Sequence, residues 1–177
     1  FGLHLKQPLN GLNMSNSPFW YNLFRPADKK RHSICDLWLD TPIFEGLTHG
    51  QCLKLVNEMP IRRYDIDEAI FTQGEIGIGT CLLLKGSVNI CAGDKVLATM
   101  NEGDFFGEVA LVIESPRTAT AIASSESEIV FFLRPQLEQL LSQSPRLGSR
   151  LMQNLARVMA NRLGSTNALL ESYHVNG

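Results

Sequence analysis

The chain has 177 residues, a length typical of one domain with appendages, and 44% of them are apolar, which is enough for a buried core. Its formal net charge of −2 argues against a nucleic-acid-binding domain, which would be basic, so we expect no direct DNA contact. No apolar run approaches the roughly 18 residues of a transmembrane segment. The 4 cysteines and 4 histidines lack metal-ligand spacing, so we expect a cytoplasmic protein with reduced thiols and neither a metal nor a cofactor.

Residues 1–36 show no regular apolar periodicity, and we interpret them as an irregular N-terminal extension. Their start lacks the basic and apolar regions of a signal peptide. An aromatic segment at 19–24 is followed by a basic run at 29–31. We interpret the aromatic segment as a tail that docks on the domain through Trp20 and Phe24, with membrane-surface attachment as the alternative.

Residues 37–59 carry apolar side chains at three-to-four spacing, which predicts helix. Thr41, which precedes a proline, is one helix start signal, and Thr48 is a second. The second helix is predicted to end at Met59, because the next residue is a proline and cannot continue it.

Residues 61–133 change to a strand pattern, in which short β-branched and aromatic segments are separated by glycines. The predicted strands lie at 63–65, 69–72, 81–85, 87–91, 96–100, 119–124 and 129–133. Many short strands joined by glycine-rich turns indicate a mainly β fold, either a sandwich or a closed roll. Because strands and helices do not alternate here, a doubly wound nucleotide-binding fold is disfavoured.

Residues 134–170 return to a helical pattern, with Pro135 opening one helix and Pro145 opening a long second one. An apolar stripe at i, i+4 spacing follows the long helix and comprises Leu147, Leu151, Leu155, Met159 and Leu163. Arginine dominates the charged residues of this region, and we interpret these arginines as a solvated outer face.

The segment at 101–120 carries the residues with the clearest chemistry. Gly103 is expected in a turn, and Gly107 at a position that needs positive φ or a close backbone approach. A single helical turn beginning at Glu108 would offer free N–H groups to an anion. Arg117 supplies a fork of donors that matches a phosphate, and Glu108 can accept a hydrogen bond from a hydroxyl such as that of a ribose. Together they suggest a sugar-phosphate ligand.

This segment resembles the phosphate-binding cassette of cyclic nucleotide-binding domains, which occur in regulatory subunits of cyclic-nucleotide-dependent protein kinases and in the bacterial catabolite activator. The residues that match the family's pattern are, in order, Phe106, Gly107, Glu108, Ala110, Leu111, Pro116, Arg117, Ala119 and Thr120. Segments at 70–75 and 84–88 are similar to the family's strand and turn landmarks, so the resemblance covers roughly residues 40–170. It implies a β-roll or jelly roll (a double-stranded β-helix) with N-terminal helices and a long C-terminal helix.

The resemblance also implies roles for the residues of the cassette, with cAMP or cGMP as the ligand. Arg117 would pair with the exocyclic oxygens of the cyclic phosphate, and Glu108 would accept the ribose 2′-hydroxyl. Backbone N–H groups of Gly107, Glu108 and Ala110 would complete the phosphate cradle, and Val109 between them is counted with the site. In the alternative interpretation, Glu108 and Arg117 form a structural ion pair in a roll that binds no ligand.

Three further residues are linked to the base by the same resemblance. Thr118 would add a hydroxyl near the phosphate and, in guanine-preferring members, a bond to the base. Thr166 and Asn167 fall where the long helix of the bacterial activator contacts the base. The alternatives are an ordinary strand threonine at 118 and exposed helix residues at 166 and 167.

These residues favour a sensor: a regulatory module that binds a cyclic nucleotide, with no catalytic role. We divide the chain into the extension at 1–36, the roll with its flanking helices at 37–143, and a dimerisation or hinge helix with a tail at 144–177. Ligand would shift the population of a hinge at 133–147. Too few residues follow the long helix for a DNA-reading domain, so either the output would pass through an unknown protein partner or the sequence is a piece of a longer chain.

Other interpretations of the sequence remain open. The apolar stripe suggests a homodimer through the C-terminal helix, as in the bacterial activator, or packing of the stripe on its own roll. A degenerate roll could act as a protein-interaction or dimerisation scaffold without a ligand. An enzyme on a similar roll, as in cupins, would need histidine and carboxylate metal ligands that the sequence lacks, and no hydrolase or phosphate-loop motif is present.

Overall fold

The computed structural model describes residues 18–175 of the chain. Its helical segments are α1 (Pro18–Leu39), a 3-10 turn (Pro42–Phe44), α2 (His49–Val56), α3 (Val109–Val112), α4 (Arg134–Gln143) and α5 (Pro145–Val175). Its strands are β1 (Ile61–Tyr64), β2 (Ala69–Phe71), β3 (Gly79–Lys85), β4 (Val88–Ala92), β5 (Lys95–Met100), β6 (Phe105–Phe106), β7 (Thr120–Ala123) and β8 (Ser127–Leu133). The strands occupy the middle of the described chain, and helices lie on both sides of them in sequence.

The strands form two four-stranded antiparallel sheets. Sheet one has the order β1-β8-β3-β6, and sheet two has the order β2-β7-β4-β5. Because strands that are distant in sequence, such as β1 and β8, are neighbours in a sheet, the chain crosses repeatedly between the two sheets and forms a roll. The predicted mainly β fold, with flanking helices and a long C-terminal helix, is confirmed.

Each predicted strand corresponds to an observed one with ends that agree within two residues, but β6 was missed. It consists of Phe105 and Phe106, which pair with Leu82 and Cys81 of β3. Two residues are too few to show the alternation that marks a strand in a sequence, so only the tertiary pairing defines this one.

Sheet one is buried on both of its faces. In β3, Cys81 and Leu83 face the space between the sheets, whereas Leu82 faces the helices. In β8, Ile129 and Val130 alternate in the same way. The outer face of this sheet therefore needs the helices as a cover, because these apolar side chains would otherwise contact water.

The helical layer over sheet one contains an aromatic cluster. The rings of Trp38 and Phe44 stack with centroids 4.7 Å apart, and Phe132 of β8 meets the Phe44 ring edge-on at 5.8 Å. Leu151 and Leu155 of α5 belong to the same buried cluster. Residues from both ends of the described chain thus complete one core on the sheet.

The apolar stripe of α5 packs on its own domain over most of its length. Leu151 and Leu155 are buried, whereas Leu163 is 62% exposed. A Cβ added at Gly148 would lie 2.8 Å from Cα of Leu141, so α4 and α5 approach each other closely at this glycine. Of the two interpretations of the stripe, packing on its own roll is the one that this arrangement supports for residues up to Val158.

The expectation that residues 1–36 are irregular is wrong from Pro18 onwards, because α1 runs to Leu39. Its C-terminal part buries Ile34, Cys35 and Trp38 in the helical core. This packing stabilises a helix that short-range apolar periodicity does not reveal. The proposed division at residue 36 falls inside α1, and the calls on residues 1–17 and on the side chains of the aromatic segment lie outside the described residues.

The basic run of the sequence has a structural role. Lys30 Nζ lies 2.7 Å from Oε1 of Glu128 on β8, and Arg31 donates hydrogen bonds to the carbonyls of Val56 and Met59. These two side chains fasten α1 to the sheet and to the end of α2. Two of the three charges of the basic run are therefore paired inside the domain, which reduces the charge available for a membrane-binding patch here.

Both predicted helix starts in the second zone are observed, with different cap chemistry. Thr48 and Gln51 form a reciprocal capping box at the start of α2. Thr41 precedes the proline of the 3-10 turn, but its hydroxyl donates to the Trp38 carbonyl at 2.6 Å and does not cap the turn. Helix α2 ends at Val56, three residues before the predicted end at Met59, and the N–H groups of Glu58 and Met59 instead bond to carbonyls three residues back.

Candidate functional site

A cavity of about 390 Å³ lies beside α3 and within the usual size range of small-molecule sites. Strand residues form its apolar wall, namely Phe71, Ile90, Ala98, Met100 and Phe106. Residues 107–110 and 115–119 form the polar side, and Arg162 of α5 completes the lining. The cavity thus brings together the two halves of the segment on which the sequence resemblance depends.

A second, larger groove of about 1250 Å³ lies between α2, α4 and the start of α5. It is open and its charged lining consists of Lys54, Glu58, Arg146 and Arg150, all of which are exposed. The smaller cavity is the better candidate site, because only there do a buried carboxylate and a part-buried guanidinium converge.

Gly107 occupies the left-handed region, with φ of +73°, as the sequence suggested. A Cβ at this position would lie 2.5 Å from Nη1 of Arg117, so the absence of a side chain allows the guanidinium to approach the backbone. The helical turn α3 follows at Val109, one residue later than predicted. The Ala110 N–H already donates to the Gly107 carbonyl at 3.3 Å, so this donor of the expected cradle is engaged within the loop.

Arg117 is held in place by backbone carbonyls. Its Nη1 donates to the Gly107 carbonyl at 2.8 Å, and its Nη2 donates to the Gly79 carbonyl at 2.9 Å. Its Cζ lies 4.1 Å from the centroid of the Phe71 ring, a cation–π contact. Burial lowers the pKa of the Arg117 guanidinium, but an arginine stays protonated in proteins. Three of its five N–H donors remain for a ligand after these two bonds.

The thiol of Cys81 lies near this guanidinium and does not neutralise it. Burial raises the pKa of Cys81 to about 12, and the charge of Arg117 opposes that rise. The thiol is therefore protonated at neutral pH and carries no charge. Arg117 keeps its full positive charge toward the cavity, which is the condition for binding a phosphate.

Glu108 is the buried carboxylate of the cavity, with a side chain only 6% exposed. Its Oε1 accepts a hydrogen bond from Arg162 Nη1 at 2.7 Å. Arg162 also donates to the Phe105 carbonyl at 3.2 Å, and its Cζ lies 5.0 Å from the Phe105 ring centroid. The alternative of a structural pair between Glu108 and Arg117 is not the arrangement found, since each of them has the other partners just described.

Sequence reasoning missed Arg162 and assigned it to a solvated face. Its position carried a usable signal, because it follows the buried Val158 by four residues and therefore lies on the face of α5 that meets the domain. Arg157 pairs with Glu45 and Arg134 pairs with Glu114, so these two arginines are further exceptions to the expectation of a solvated face. Charge density alone had not indicated any of these pairings.

Of the three residues expected near the base, one lines the cavity and two do not. Thr118 is exposed and lines the cavity. Thr166 and Asn167 are exposed and do not line it, and the Thr166 hydroxyl donates to the Arg162 carbonyl at 2.9 Å. The structure therefore does not bring these two helix residues to the site. Arg162, one helical turn before Thr166, is the α5 residue that reaches it.

Between residues 18 and 175, no helix is both long enough and apolar enough to span a bilayer. Within the same residues, no group of three or more histidine, cysteine, aspartate or glutamate side chains has an arrangement suited to a metal ion.

Comparison with known proteins identifies the family that the cassette resembles. Residues 61–144 match the family model described as the cyclic nucleotide-binding domain, which confirms the resemblance. The chain is 25% identical over 150 residues to a cAMP-dependent protein kinase regulatory subunit of Mycosarcoma maydis, across 82% of this chain and 27% of that protein. It is 27% identical over 136 residues to the cyclic AMP receptor protein of Thermus thermophilus, across 74% of this chain and 61% of that protein.

A solved structure supports the fold assignment. The crystal structure of the Thermus thermophilus catabolite activator protein aligns with a TM-score of 0.67 and 27% identity, across 76% of this chain and 63% of that one. The expected β-roll with a long C-terminal helix is thereby confirmed. This chain spans less than two thirds of the length of each of these relatives.

Proposed function

We propose that this chain, whose residues 61–144 form a domain of the cyclic nucleotide-binding family, binds cAMP or cGMP in the cavity beside α3 and acts as a regulatory module without catalysis. One observation carries the proposal. A charged guanidinium and a buried carboxylate, both at the positions of the family's cassette, line the same cavity. A sugar phosphate needs one group of each kind, because it presents an anion and hydroxyl donors.

The phosphate would bind to Arg117. The contacts of this side chain with the Gly79 and Gly107 carbonyls fix the plane of the guanidinium before any ligand arrives. A donor group that is already ordered loses little conformational entropy on binding. The N–H groups that remain can form charge-assisted hydrogen bonds with the exocyclic phosphate oxygens.

The sugar and the base would occupy the rest of the cavity. Glu108 can accept the ribose 2′-hydroxyl, as the cassette predicts. The apolar surface of Ile90, Ala98 and Met100 suits the face of a purine ring. Thr118 at the edge of the cavity offers a hydroxyl to the base, and this group would favour guanine in a cGMP-preferring site.

Binding would be transmitted through the C-terminal helices. Arg162 connects α5 to the site, and the hinge at 133–147 joins sheet one to α5 through α4. A ligand with different affinity for two positions of α5 would shift their populations. The receiver of that signal is a protein partner or a further part of a longer protein.

We also propose that two copies associate along the distal part of α5. Leu163 is an exposed apolar residue on this segment, and residues 160–168 are all exposed. An apolar side chain in such a position can contribute to an interface between helices.

The ligand proposal is tested by calorimetric titration with cAMP and with cGMP. For the preferred nucleotide, loss of the Arg117–phosphate contact should cost about 1.5–3 kcal/mol, so Arg117→Ala should weaken binding roughly 10- to 150-fold. Arg146→Ala, an exposed arginine outside the cavity, is the matched control and should bind like the wild type. Thermal unfolding of each variant would verify the fold.

Two results would overturn the proposal. Equal affinities of the wild type and a folded Arg117→Ala variant would contradict the cassette interpretation. If the wild type gives neither binding heat nor thermal stabilisation with either nucleotide, the scaffold function is the better explanation.

A further inference from the structure

The contact between α5 and Glu108 bears on how the site chooses its ligand. Arg162 is the α5 residue in the cavity lining, and its guanidinium bridges Glu108 and the Phe105 carbonyl while lying over the Phe105 ring. Its side chain is 49% exposed, whereas that of Glu108 is 6% exposed. The arginine is therefore the partner that reaches solvent, and the carboxylate is the buried partner.

The burial of Glu108 limits the directions from which a donor can approach it. Glu108 and Arg162 both line the cavity, and Arg162 Nη1 lies 2.7 Å from Oε1 of Glu108. A ribose hydroxyl that enters the cavity can bind to this same oxygen. A hydroxyl that takes it from Arg162 keeps the buried carboxylate paired, so the exchange leaves no buried charge without a partner.

We propose that Arg162 is a specificity-determining residue that competes with the ribose 2′-hydroxyl for Glu108. This inference rests on the proposed function. In the empty site the guanidinium holds the carboxylate and anchors α5. A ribonucleotide takes the carboxylate and releases Arg162, which can keep its contacts with the Phe105 carbonyl and ring.

The competition gives the 2′-hydroxyl two separate effects, one on the affinity of the ligand and one on the contact that holds α5. A 3′,5′-cyclic nucleotide with the hydroxyl gains a bond to Glu108 but has to break the Glu108–Arg162 contact. The 2′-deoxy analogue binds through phosphate and base alone and leaves that contact intact. The site would therefore use the sugar to decide whether α5 is released, separately from whether the pocket is filled.

The test is calorimetry with cAMP or cGMP, whichever the wild type binds, and with its 2′-deoxy analogue. The variant is Arg162→Met, which keeps an unbranched side chain over Phe105 and removes the charge. The affinity of this variant for the ribonucleotide should rise about 3- to 30-fold, because breaking the contact costs between the free energy of an exposed ion pair and that of a hydrogen bond to a charged group. Its affinity for the deoxy analogue should change less than about 2-fold. Arg157→Met, which removes another α5 arginine that pairs with Glu45, is the control and should alter neither affinity.

Hydrogen exchange provides a second readout that does not depend on the stability of a variant. In the wild type, amides at 158–163 should exchange faster with the ribonucleotide bound than with the deoxy analogue bound. Weaker binding of both ligands by Arg162→Met, or unchanged binding, would overturn the competition and leave the proposed function standing. If neither nucleotide binds to the wild type, the proposed function itself fails and this inference fails with it.

Discussion

At the scale of single residues, Gly107 controls whether Arg117, the residue proposed to bind the phosphate, can take up its position. The left-handed backbone and the 2.5 Å gap between a Cβ and Arg117 Nη1 exclude a side chain there. We expect Gly107→Ala to push the guanidinium away from the Gly107 carbonyl. Nucleotide affinity should then fall by as much as roughly 10- to 150-fold, the full loss of the arginine–phosphate contact, in a calorimetric titration.

Gly93 offers a matched control for this substitution. It also has positive φ, at +56°, but no heavy atom would lie within 4 Å of an added Cβ. Gly93→Ala should therefore cause a similar backbone strain of about 1–2 kcal/mol in thermal unfolding without changing affinity. Equal losses of affinity in the two variants would mean that strain, and not the displacement of Arg117, is responsible.

The candidate site could be predicted in part because its cassette is local in sequence. Glu108 and Arg117 lie in one short segment, so their spacing is visible without a structure. The contact of Glu108 with Arg162 joins residues 54 positions apart and depends on how α5 crosses the roll. Thr166 and Asn167 illustrate the same limit, since a shift of one helical turn decides which α5 residue reaches the cavity.

At the scale of elements, Glu128 joins α1 to sheet one. Burial raises the pKa of its carboxyl, but hydrogen bonds from Lys30 and Arg63, together with their charges, outweigh burial and hold the pKa below its ordinary value. Because the pKa is lower in the folded state than in the unfolded state, this stabilisation is complete above the unfolded value of about 4.3. It is lost as the pH falls through the folded value.

We therefore expect Glu128→Gln to be less stable than the wild type at neutral pH and to approach it as the pH falls from about 5 to 3. Thermal unfolding across this range would measure the convergence. Glu126→Gln, an exposed neighbour, is the control and should follow the wild type throughout. Parallel curves for Glu128→Gln and the wild type would show that the contacts with Lys30 and Arg63 have no net effect on stability.

The elements with a strong internal pattern were predictable, and those defined by their partners were not. Strands β3 and β8 have long β-branched or apolar runs, and α2 has its own capping signal. Helix α1 and strand β6 lack such patterns and form because other parts of the domain pack on them or pair with them.

At the scale of the whole molecule, the roll and the helices form one folding unit. Leu82, Val130 and Phe132 are 0–1% exposed on the outer face of sheet one. At about 1.5–3 kcal/mol for each buried side chain, uncovering these three would remove about 5–9 kcal/mol. A typical domain has a total stability of about 5–15 kcal/mol.

We accordingly expect the isolated segment 61–144, the range of the family match, not to fold, although it contains all eight described strands. A segment from 29 to 168 keeps Trp38 and Leu151 over the sheet and should fold. Circular dichroism and NMR peak dispersion would distinguish the two. A cooperative thermal transition in 61–144 alone would contradict the single-unit description.

The proposed homodimer leads to a separate prediction about the mass of the protein in solution. Leu163→Glu places a charge on the exposed apolar position of α5 and should shift light-scattering mass from dimer toward monomer. The control is Asn161→Glu, which introduces the same charge at an exposed position that is already polar. Arg157→Glu is a poor control, because it would disturb the intramolecular pair with Glu45. A monomeric wild type would remove the dimer from the proposal.

The burial of both faces of sheet one also has a consequence for how the sequences of its strands can evolve. In β3 and β8, odd-numbered residues such as Cys81 and Ile129 support the side where the cavity lies, and even-numbered ones such as Leu82 and Val130 support the helical layer. Selection on the helical layer can therefore act on alternate positions of a strand while the positions that face the space between the sheets stay constant. The two alternating sets of positions in one strand can therefore change at different rates during evolution.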